Sequence, residues 1–236
     1  MSYPQQKTVR NRLLAGLSPD DFAALAPHLE PVDLELRRVI AKPNTPIEHL
    51  YFPESGFASL TTNGNGTKIE IGMIGREGVT GVPVALGTDR MPFECFIQLA
   101  GSGLRIATHQ MEQALADRPS LHRRLLRYAQ AFNVQTAATA FANAEHTVEM
   151  RLARWVLMCH DRVDGDEFAI THEFLSMMLG VRRAGVTTTL HVLEGNHLIR
   201  SKRGSLTVLD RQGLEQLADD AYGLPEAEYA RLTDGE

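Results

Sequence analysis

The sequence predicts an α+β protein with an antiparallel, jelly-roll-like β-roll, a long dimerisation helix and a C-terminal winged helix-turn-helix. Three observations predict this fold class. Short β-type runs alternate with turn residues between Val32 and Ile106, a helical run without glycine or proline extends from Pro119 to Glu145, and two helical segments flank Gly180 ahead of a hairpin. Nothing along the chain resembles the strand-helix alternation of a parallel sheet.

The length and composition of the chain favour a two-domain globular protein. The chain has 236 residues, of which 43% are hydrophobic and 22% charged, as in ordinary globular proteins. We find neither an apolar run of about 18 residues nor a signal core at the N-terminus, so we expect a cytoplasmic protein without a membrane partner. Cys95 and Cys159 lie far apart and form no CxxC motif, and we expect both to be packed, reduced thiols.

The N-terminal region predicts one helical segment followed by strands. Residues 9–29 are expected to be helical, with Ser18 as N-cap and Pro19 in the first helical position. The runs HLYF, FASLTT, TKIEIGMI, ECFIQLA and LRIA that follow are separated by PESG, NGNG, GREG and GSG. Asn-Gly pairs between such runs are strong hairpin signals, so these strands should form an antiparallel roll.

The helical run from Pro119 to Glu145 spans about 40 Å, which is longer than one small β domain can cover. Alanine and threonine in its second half would allow a second helix to approach closely, as in a homodimer. The alternative is a helix buried inside one monomer. We place the domain boundary near His146, giving a first domain of residues 1–146 that contains the β-roll and the long helix, and a second domain of residues 147–236. The positions predicted to share the dimer face are Leu121, Leu125, Tyr128, Phe132, Gln135 and Thr139.

Residues 170–198 have the layout of a helix-turn-helix. Thr171 can cap the first helix, and Gly180 can form the turn. Apolar residues of the second helix recur at 186, 190 and 193 and should face the core. Four residues that can reach bases or phosphates then point outward: Arg183, Thr187, Thr188 and His191.

The charge around this segment permits DNA binding although the whole chain has a formal net charge of -5. Five basic residues face one acid between Arg182 and Arg203, whereas eight acids face two arginines from Ser205 to Glu236. Lys202 and Arg203 precede Gly204 at the tip of a short hairpin, the predicted wing. The alternative to DNA binding is that these two helices and the hairpin have a structural role only. The candidate DNA-binding residues are Arg182, Arg183, Thr187, Thr188, His191, Lys202 and Arg203.

Four segments resemble the Crp/Fnr family of bacterial transcription regulators: HLYFPESG, IGMIGREGVTGVP, VEMRLARWVLMCHDR and THEFLSMMLGVRRAGVTTTL. The resemblance extends from about Leu13 to Ala218. It implies a cyclic-nucleotide-binding-like β-roll, a dimer helix, and a recognition helix that begins near Arg183. Binding to a palindromic operator in double-stranded DNA is expected, and RNA polymerase is a candidate further partner.

The predicted effector pocket departs from the pattern of cyclic-nucleotide binders, which carry a GEL segment and an Arg-Ser/Thr pair. Here Gly81 precedes Val82 and Pro83, and Arg90 is followed by Met-Pro-Phe without a hydroxyl residue. The effector is therefore unknown, and cyclic AMP is not the expected one. The candidate pocket residues are Gly78, Gly81, Val82, Arg90 and Phe93.

The recognition helix also departs from its relatives, which often show Arg-Glu-x-x-x-Arg. Arg183 keeps the first arginine, but the acid and the second arginine are absent, so a different operator is expected.

Two cysteines cannot supply the four thiolates of an iron-sulfur cluster. The nine histidines show no metal-site spacing, whereas haem as a ligand stays open.

Two other classes of function compete with a DNA-binding regulator. An enzyme is not expected, because the chain has no GxSxG elbow, no Walker lysine loop and no clustered pair of acids. A protein-protein regulatory module that has lost DNA binding is the remaining alternative. It is favoured by the acidic C-terminal segment and by the missing Glu and Arg of the recognition helix.

Overall fold

The computed structural model describes residues 3–64 and 67–233, apart from the side chain of Thr67. The chain divides into two compact units. The first contains the described residues up to Leu60, then Met73–Asn133 and those from Glu228 onward; the second contains Thr61–Gly72 and Val134–Ala227. Among the described residues, no helix is both long and apolar enough to cross a membrane.

Two antiparallel sheets form the predicted β-roll. One has the strand order β1-β7-β3 and the other the order β2-β6-β4-β5. The strands are β1 (Glu30–Leu34), β2 (Val39–Ala41), β3 (His49–Pro53), β4 (Phe57–Gly64), β5 (Thr67–Ile74), β6 (Glu94–Leu99) and β7 (Gly101–Ala107). Strands β4 and β5 flank the predicted NGNG turn, of which residues 65 and 66 lie outside the described residues.

The core of the first unit lies between strands β3 and β7 and a set of helices. Apolar side chains of β3 and β7, such as Phe52 and Ile106, join a cluster with Leu13, Met111 and Leu121 from the helices. These helices are α1 (Arg12–Ala15), α2 (Pro19–Leu25), α3 (Val82–Ala85), α4 (Thr108–Asp117) and the first half of α5 (Pro119–Glu145).

The helical segment predicted for residues 9–29 is broken into α1 and α2. Gly16 ends α1, and the Ser18 side chain accepts a hydrogen bond of 3.1 Å from the backbone N–H of Asp21 at the start of α2. Ser18 was predicted as an N-cap, but a cap begins a new helix and therefore interrupts the segment in which it lies.

Helix α5 has the predicted bounds, but its predicted dimer face packs within the chain. Leu121, Leu125 and Tyr128 are at most 3% exposed and belong to the core cluster of the first unit, against which Phe132 packs. Gln135 and Thr139, the remaining two, are buried and half-buried, and Arg154 of the following helix donates to the Thr139 hydroxyl. This side of α5 is therefore covered by its own chain, which was the alternative to a dimer face. A second copy of the chain would have to pack against another side of the helix.

The second unit contains α6 (Val148–His160), α7 (His172–Leu179), α8 (Arg183–Gly195), α9 (Arg211–Ala218) and a three-stranded antiparallel sheet. The tip of the β4–β5 hairpin also belongs to it. There the indole N–H of Trp155 donates to a carboxylate oxygen of Glu70 at 2.9 Å, and both side chains are buried. This contact joins the hairpin to α6, which lies far from it in the sequence. The compact units divide α5 between Asn133 and Val134, and the boundary near His146 stays a prediction.

The last helix, α10 (Leu224–Thr233), begins in the second unit and ends in the first. In the first unit the Tyr229 hydroxyl donates to the carbonyl of Glu77 at 2.7 Å, and burial raises the pKa of Tyr229 to about 12. The range 147–236 for the second domain stays a prediction, and its described residues from Glu228 onward are grouped with the first unit.

Candidate nucleic-acid interface

Local signals build the helix-turn-helix as the sequence predicts. The Thr171 side chain caps α7 by accepting a 3.2 Å hydrogen bond from the N–H of Phe174. Gly180 ends α7 in the left-handed conformation, with φ of 64°, which a residue with a side chain would adopt only under strain. The chain then turns sharply into α8. Arg151 of α6 donates to the carbonyl of Leu179 and so satisfies one of the last carbonyls of α7.

The second helix, α8, is anchored by its apolar face. Val186, Leu190 and Leu193 are at most 1% exposed, as predicted, and the buried hydroxyl residue Thr189 lies on the same side. A helix fixed in this way can present its opposite side to a ligand without losing its position. The exposed surface of α8 carries Thr188 and His191 on this opposite side and Arg183 beside the buried face in the first turn.

A groove of about 740 Å³ runs between the start of α7, helix α8 and the hairpin of β9 and β10. Four of the predicted DNA-binding residues line it together: Arg183, His191, Lys202 and Arg203. The other three lie outside its lining. Arg182 is the exposed N-cap residue of α8, Thr188 is exposed on α8, and Thr187 is half-buried.

The wing is a strand-turn-strand of the predicted kind. Strand β9 (Ile199–Lys202) pairs with β10 (Ser205–Val208), and Gly204, with φ of 86°, closes a two-residue turn. Lys202 and Arg203 are exposed at its tip, and Arg200 is exposed on β9.

Sequence reasoning missed a third strand in this sheet, β8 (Glu167–Ala169), which pairs with the free side of β10. The alternation of exposed Glu167, buried Phe168 and exposed Ala169 was its only sequence signal. Three residues are too few for a periodicity to stand out, and the glycine-containing acidic segment before them indicated a loop.

Four further groove residues were missed: His172, Glu173, Glu194 and Ser201. Glu194 accepts a 2.7 Å hydrogen bond from the backbone N–H of Ser201, which ties the end of α8 to the wing. His172 Nδ1 lies 3.2 Å from the hydroxyl of Thr187, which connects the two helices across the groove. Because these contacts join residues from different elements, the sequence alone carries no signal for them.

The hydroxyl groups of Thr187 and Thr188, which were predicted to point outward, both donate hydrogen bonds within α8. Thr187 donates to the carbonyl of Arg183 at 3.2 Å, and Thr188 donates to the carbonyl of Ala184 at 3.1 Å. A hydroxyl has one proton and two acceptor positions. Each threonine can therefore accept a hydrogen bond from a ligand, or contact it through its methyl group, while these helical bonds last.

A polar network holds α9 against α6 behind the interface. Arg211 donates to the Asp161 carboxylate and, at 2.8 Å, to the hydroxyl of Tyr222, which in turn donates to Asp161 at 2.8 Å. Burial, followed by the negative charge of Asp161, raises the pKa of Tyr222. The hydroxyl therefore keeps its proton at neutral pH and remains a donor.

The residues of the predicted effector pocket have a different environment. A Cβ at Gly78 would lie 2.0 Å from the hydroxyl oxygen of Tyr128, and one at Gly81, whose φ is 76°, would lie 2.9 Å from Leu50. Arg90 forms two hydrogen bonds with Asp89, of 2.8 and 3.1 Å, and its side chain is 53% exposed.

The two remaining pocket residues, Val82 and Phe93, are half-buried.

Both cysteines are buried, and burial raises the pKa of Cys95 to about 12 and that of Cys159 well above its ordinary value. Thiols protonated in this way are poor metal ligands and nucleophiles. No group of three or more His, Cys, Asp or Glu side chains that could hold a metal ion occurs in residues 3–64 and 67–233.

Comparison with known proteins finds a family match in the second half of the chain. The family model described as Crp-like helix-turn-helix domain matches residues 150–217, which include α6 to α9 and the wing. Residues 150–217 form a Crp-like helix-turn-helix domain. No curated protein matches the chain.

Three solved structures share the fold of about four fifths of the chain. FixK2 from Bradyrhizobium japonicum has 15% identity and a TM-score of 0.70, and the match covers 82% of this chain and 99% of that one. The c-di-GMP responsive global regulator CLP of Xanthomonas campestris has 15% identity and a TM-score of 0.63, covering 81% and 99%. A transcriptional regulator of the CRP family from Thermus thermophilus, TTHB099, has 18% identity and a TM-score of 0.64, covering 79% and 96%.

These matches confirm the predicted fold class, a β-roll with a long helix and a C-terminal helix-turn-helix of the Crp/Fnr type. At identities below 20% they establish the fold of the chain and not its ligands.

Proposed function

We propose that the chain is a sequence-specific DNA-binding transcription regulator of the Crp/Fnr type. The observation that carries the proposal is the groove in which Arg183 of the recognition helix and Lys202 and Arg203 of the wing face the same space. In a helix-turn-helix the second helix enters the major groove of DNA, and flanking cations meet the phosphates.

Each side chain has a distinct expected role in this complex. Arg183, exposed in the first turn of α8, reads guanine through two parallel hydrogen bonds to O6 and N7. Thr188 accepts from the amino group of adenine or cytosine, or contacts the methyl group of thymine, because its own proton is bound to Ala184. Lys202 and Arg203 bind phosphates and add affinity without sequence preference.

Selection of duplexes from a random pool by the purified protein tests this function. We expect an enriched palindrome whose half-site centres lie about 34 Å apart, one turn of B-DNA. Arg183→Ala should lose about 1–3 kcal/mol of binding free energy and relax the preference at one base in each half-site. Arg90→Ala removes an exposed arginine outside the helix-turn-helix domain and serves as the matched control.

Salt dependence separates this function from the alternative of a protein-protein module. A DNA-binding protein releases counterions, so the affinity for the enriched duplex should fall steeply as the salt concentration rises. If no sequence is enriched and no salt-dependent binding is measured, the module that has lost DNA binding replaces our proposal. Direct repeats instead of a palindrome would contradict two-fold symmetry.

We further propose that two chains pair through the exposed side of α5. Exposed residues follow each other there at alternating spacings of three and four, which is the heptad spacing of a coiled-coil seam. Alanines in its second half permit close approach, and Phe141 beside the seam is 54% exposed. The seam consists of Arg123, Leu126, Gln130, Asn133, Ala137, Ala140 and Ala144.

Sedimentation of Ala137→Arg tests the seam, since a large cation in its centre should convert dimers into monomers and weaken binding to the palindrome. Asn143→Arg is the matched control, because Asn143 is exposed on the same helix but lies about 100° around it from Ala144. Equal dimerisation of both variants would place the dimer interface elsewhere.

We propose that the effector is not cyclic AMP. A buried cyclic phosphate needs an unoccupied cation and hydroxyl donors, whereas Arg90 already binds Asp89 at the surface and Tyr128 fills the space beside Gly78. These residues do not fit the cyclic nucleotide that the fold implies. Contact with RNA polymerase and the absence of an enzymatic activity both stay predictions.

A further inference from the structure

Two histidines and two glutamates share the groove with its cations. His172 and Glu173 lie at the start of α7, and His191 and Glu194 lie on α8. The other charged residues that line the groove are Arg183, Lys202 and Arg203. With neutral imidazoles the lining thus carries only one net positive charge, and protonation of both histidines raises this to three. The attraction of this groove for a polyanion therefore depends on its histidines.

His172 is placed to bind a proton without losing its contact in the protein. The Thr187 hydroxyl lies 3.2 Å from His172 Nδ1 and also 3.2 Å from the carbonyl of Arg183. Since a hydroxyl has one proton and a carbonyl cannot donate, both bonds form together only if Nδ1 carries the hydrogen and donates to Thr187. Protonation then takes place at Nε2, which has no hydrogen-bond partner among the described residues.

We propose that DNA binding by this chain is coupled to the uptake of a proton by His172, whose Nε2–H then donates to a DNA phosphate. This inference rests on the proposed function and adds a pH dependence to it. A phosphate fits better than a base edge, because the first helix of a helix-turn-helix crosses the DNA backbone. A neutral imidazole with hydrogen on Nδ1 presents a lone pair at Nε2 and would repel that phosphate.

The surrounding charges determine the direction of the effect. Glu173 on the same helix and Glu194 on α8 favour the protonated imidazole, while Arg183, His191, Lys202 and Arg203 oppose it in the free protein. A bound phosphate neutralises the opposing cations and adds negative charge. The proton is therefore held more tightly in the complex than in the free protein, so affinity should be higher at pH 6 than at pH 8.

The test measures the dissociation constant of the selected duplex at pH 6 and pH 8 and constant salt, for the full-length chain. For the wild type we expect the affinity to be about three- to tenfold higher at pH 6. His172→Gln should bind at pH 6 about as weakly as the wild type at pH 8. His172→Arg, which is always charged, should bind at pH 8 as tightly as the wild type at pH 6. His109→Gln, at an exposed position on α4, should behave as the wild type.

Each result has a defined meaning, provided that melting curves show every variant folded at both pH values. Equal wild-type affinity at pH 6 and pH 8, or an unchanged pH dependence in His172→Gln, overturns the proton coupling while leaving DNA binding intact. Loss of the pH dependence in His191→Gln alone would assign the proton to His191 and overturn the role of His172. Absence of DNA binding at every pH from 5.5 to 8.5 would reject the proposed function itself.

Discussion

The segment predicted to hold an effector, residues 78–93, and the helix-turn-helix groove differ in how their polar side chains are used. In the effector segment, Arg90 is bound to Asp89, and the space beside Gly78 is filled by Tyr128. In the groove, Arg183, Lys202 and Arg203 face a common space of about 740 Å³.

The polar groups of the effector segment contact each other within the chain, whereas those of the groove remain able to bind a ligand. Side chains that already contact each other inside the chain must break those contacts to bind a ligand, whereas charges that face solvent lose little on binding a phosphate. The groove therefore carries the functional proposal. Two glycine substitutions and one arginine substitution test the contrast.

Gly78→Ala should have the largest effect, because its methyl group would lie 2.0 Å from the hydroxyl oxygen and 2.3 Å from the adjacent ring carbon of Tyr128. The Tyr128 side chain is 3% exposed and cannot move into solvent. Overpacking of this kind costs about 3 kcal/mol. Urea unfolding of the wild type and the variant measures this loss in the free energy of unfolding.

Gly64→Ala is the matched control, since no atom of the described residues lies within 4 Å of a Cβ at that glycine. It should leave the free energy of unfolding within about 0.5 kcal/mol of the wild type. If Gly78→Ala were as stable as Gly64→Ala, the segment would contain space for a ligand, and the contrast with the groove would disappear.

Gly185→Ala should have the opposite sign. Gly185 lies inside α8, is exposed, and has no atom within 4 Å of a Cβ position. Alanine favours a helix interior over glycine by roughly 0.5–1 kcal/mol, so the free energy of unfolding should rise by about that amount. Urea unfolding checks the sign. A decrease would mean that this flank of the recognition helix is already covered in solution.

The sequence predicted the parts of the fold that depend on local signals. The caps at Ser18 and Thr171, the left-handed Gly180 and the bounds of α5 each follow from a few neighbouring residues. The buried face of α8 also follows, because its apolar residues recur at helical spacing.

Contacts between distant segments were not predictable in this way. Helix α5 carries one face that is buried in the chain and another that is exposed at heptad spacing. The first face was predicted to be the dimer interface because its residues recur at helical spacing, and spacing alone does not show which face is covered within the chain. The Trp155–Glu70 bond joins residues 85 positions apart in the sequence. The His172–Thr187 bond across the groove likewise depends on the turn at Gly180.

Arg90→Ala should have the smallest effect. Exposed ion pairs contribute little to stability, so the melting temperature at pH 7 should not change measurably. The hydrogen bond from Arg90 lowers the pKa of Asp89, so this carboxyl should titrate at higher pH in the variant. A carboxyl with a lowered pKa stabilises the fold above its unfolded-state pKa and loses this contribution as pH falls through the folded-state value. Any difference in stability between the two proteins should therefore be present at neutral pH and disappear in acid, and carboxyl chemical shifts in an NMR titration report the change at Asp89.

The same variant tests whether the effector segment can still bind a cyclic nucleotide. Millimolar cyclic AMP should raise the melting temperature of neither the wild type nor Arg90→Ala, because Arg90 is bound to Asp89 and lacks a neighbouring hydroxyl. A rise in the wild type that is lost in Arg90→Ala would show that Arg90 leaves Asp89 to bind the phosphate. The effector segment would then be a binding surface that is closed in the free protein, and its difference from the groove would be one of conformation.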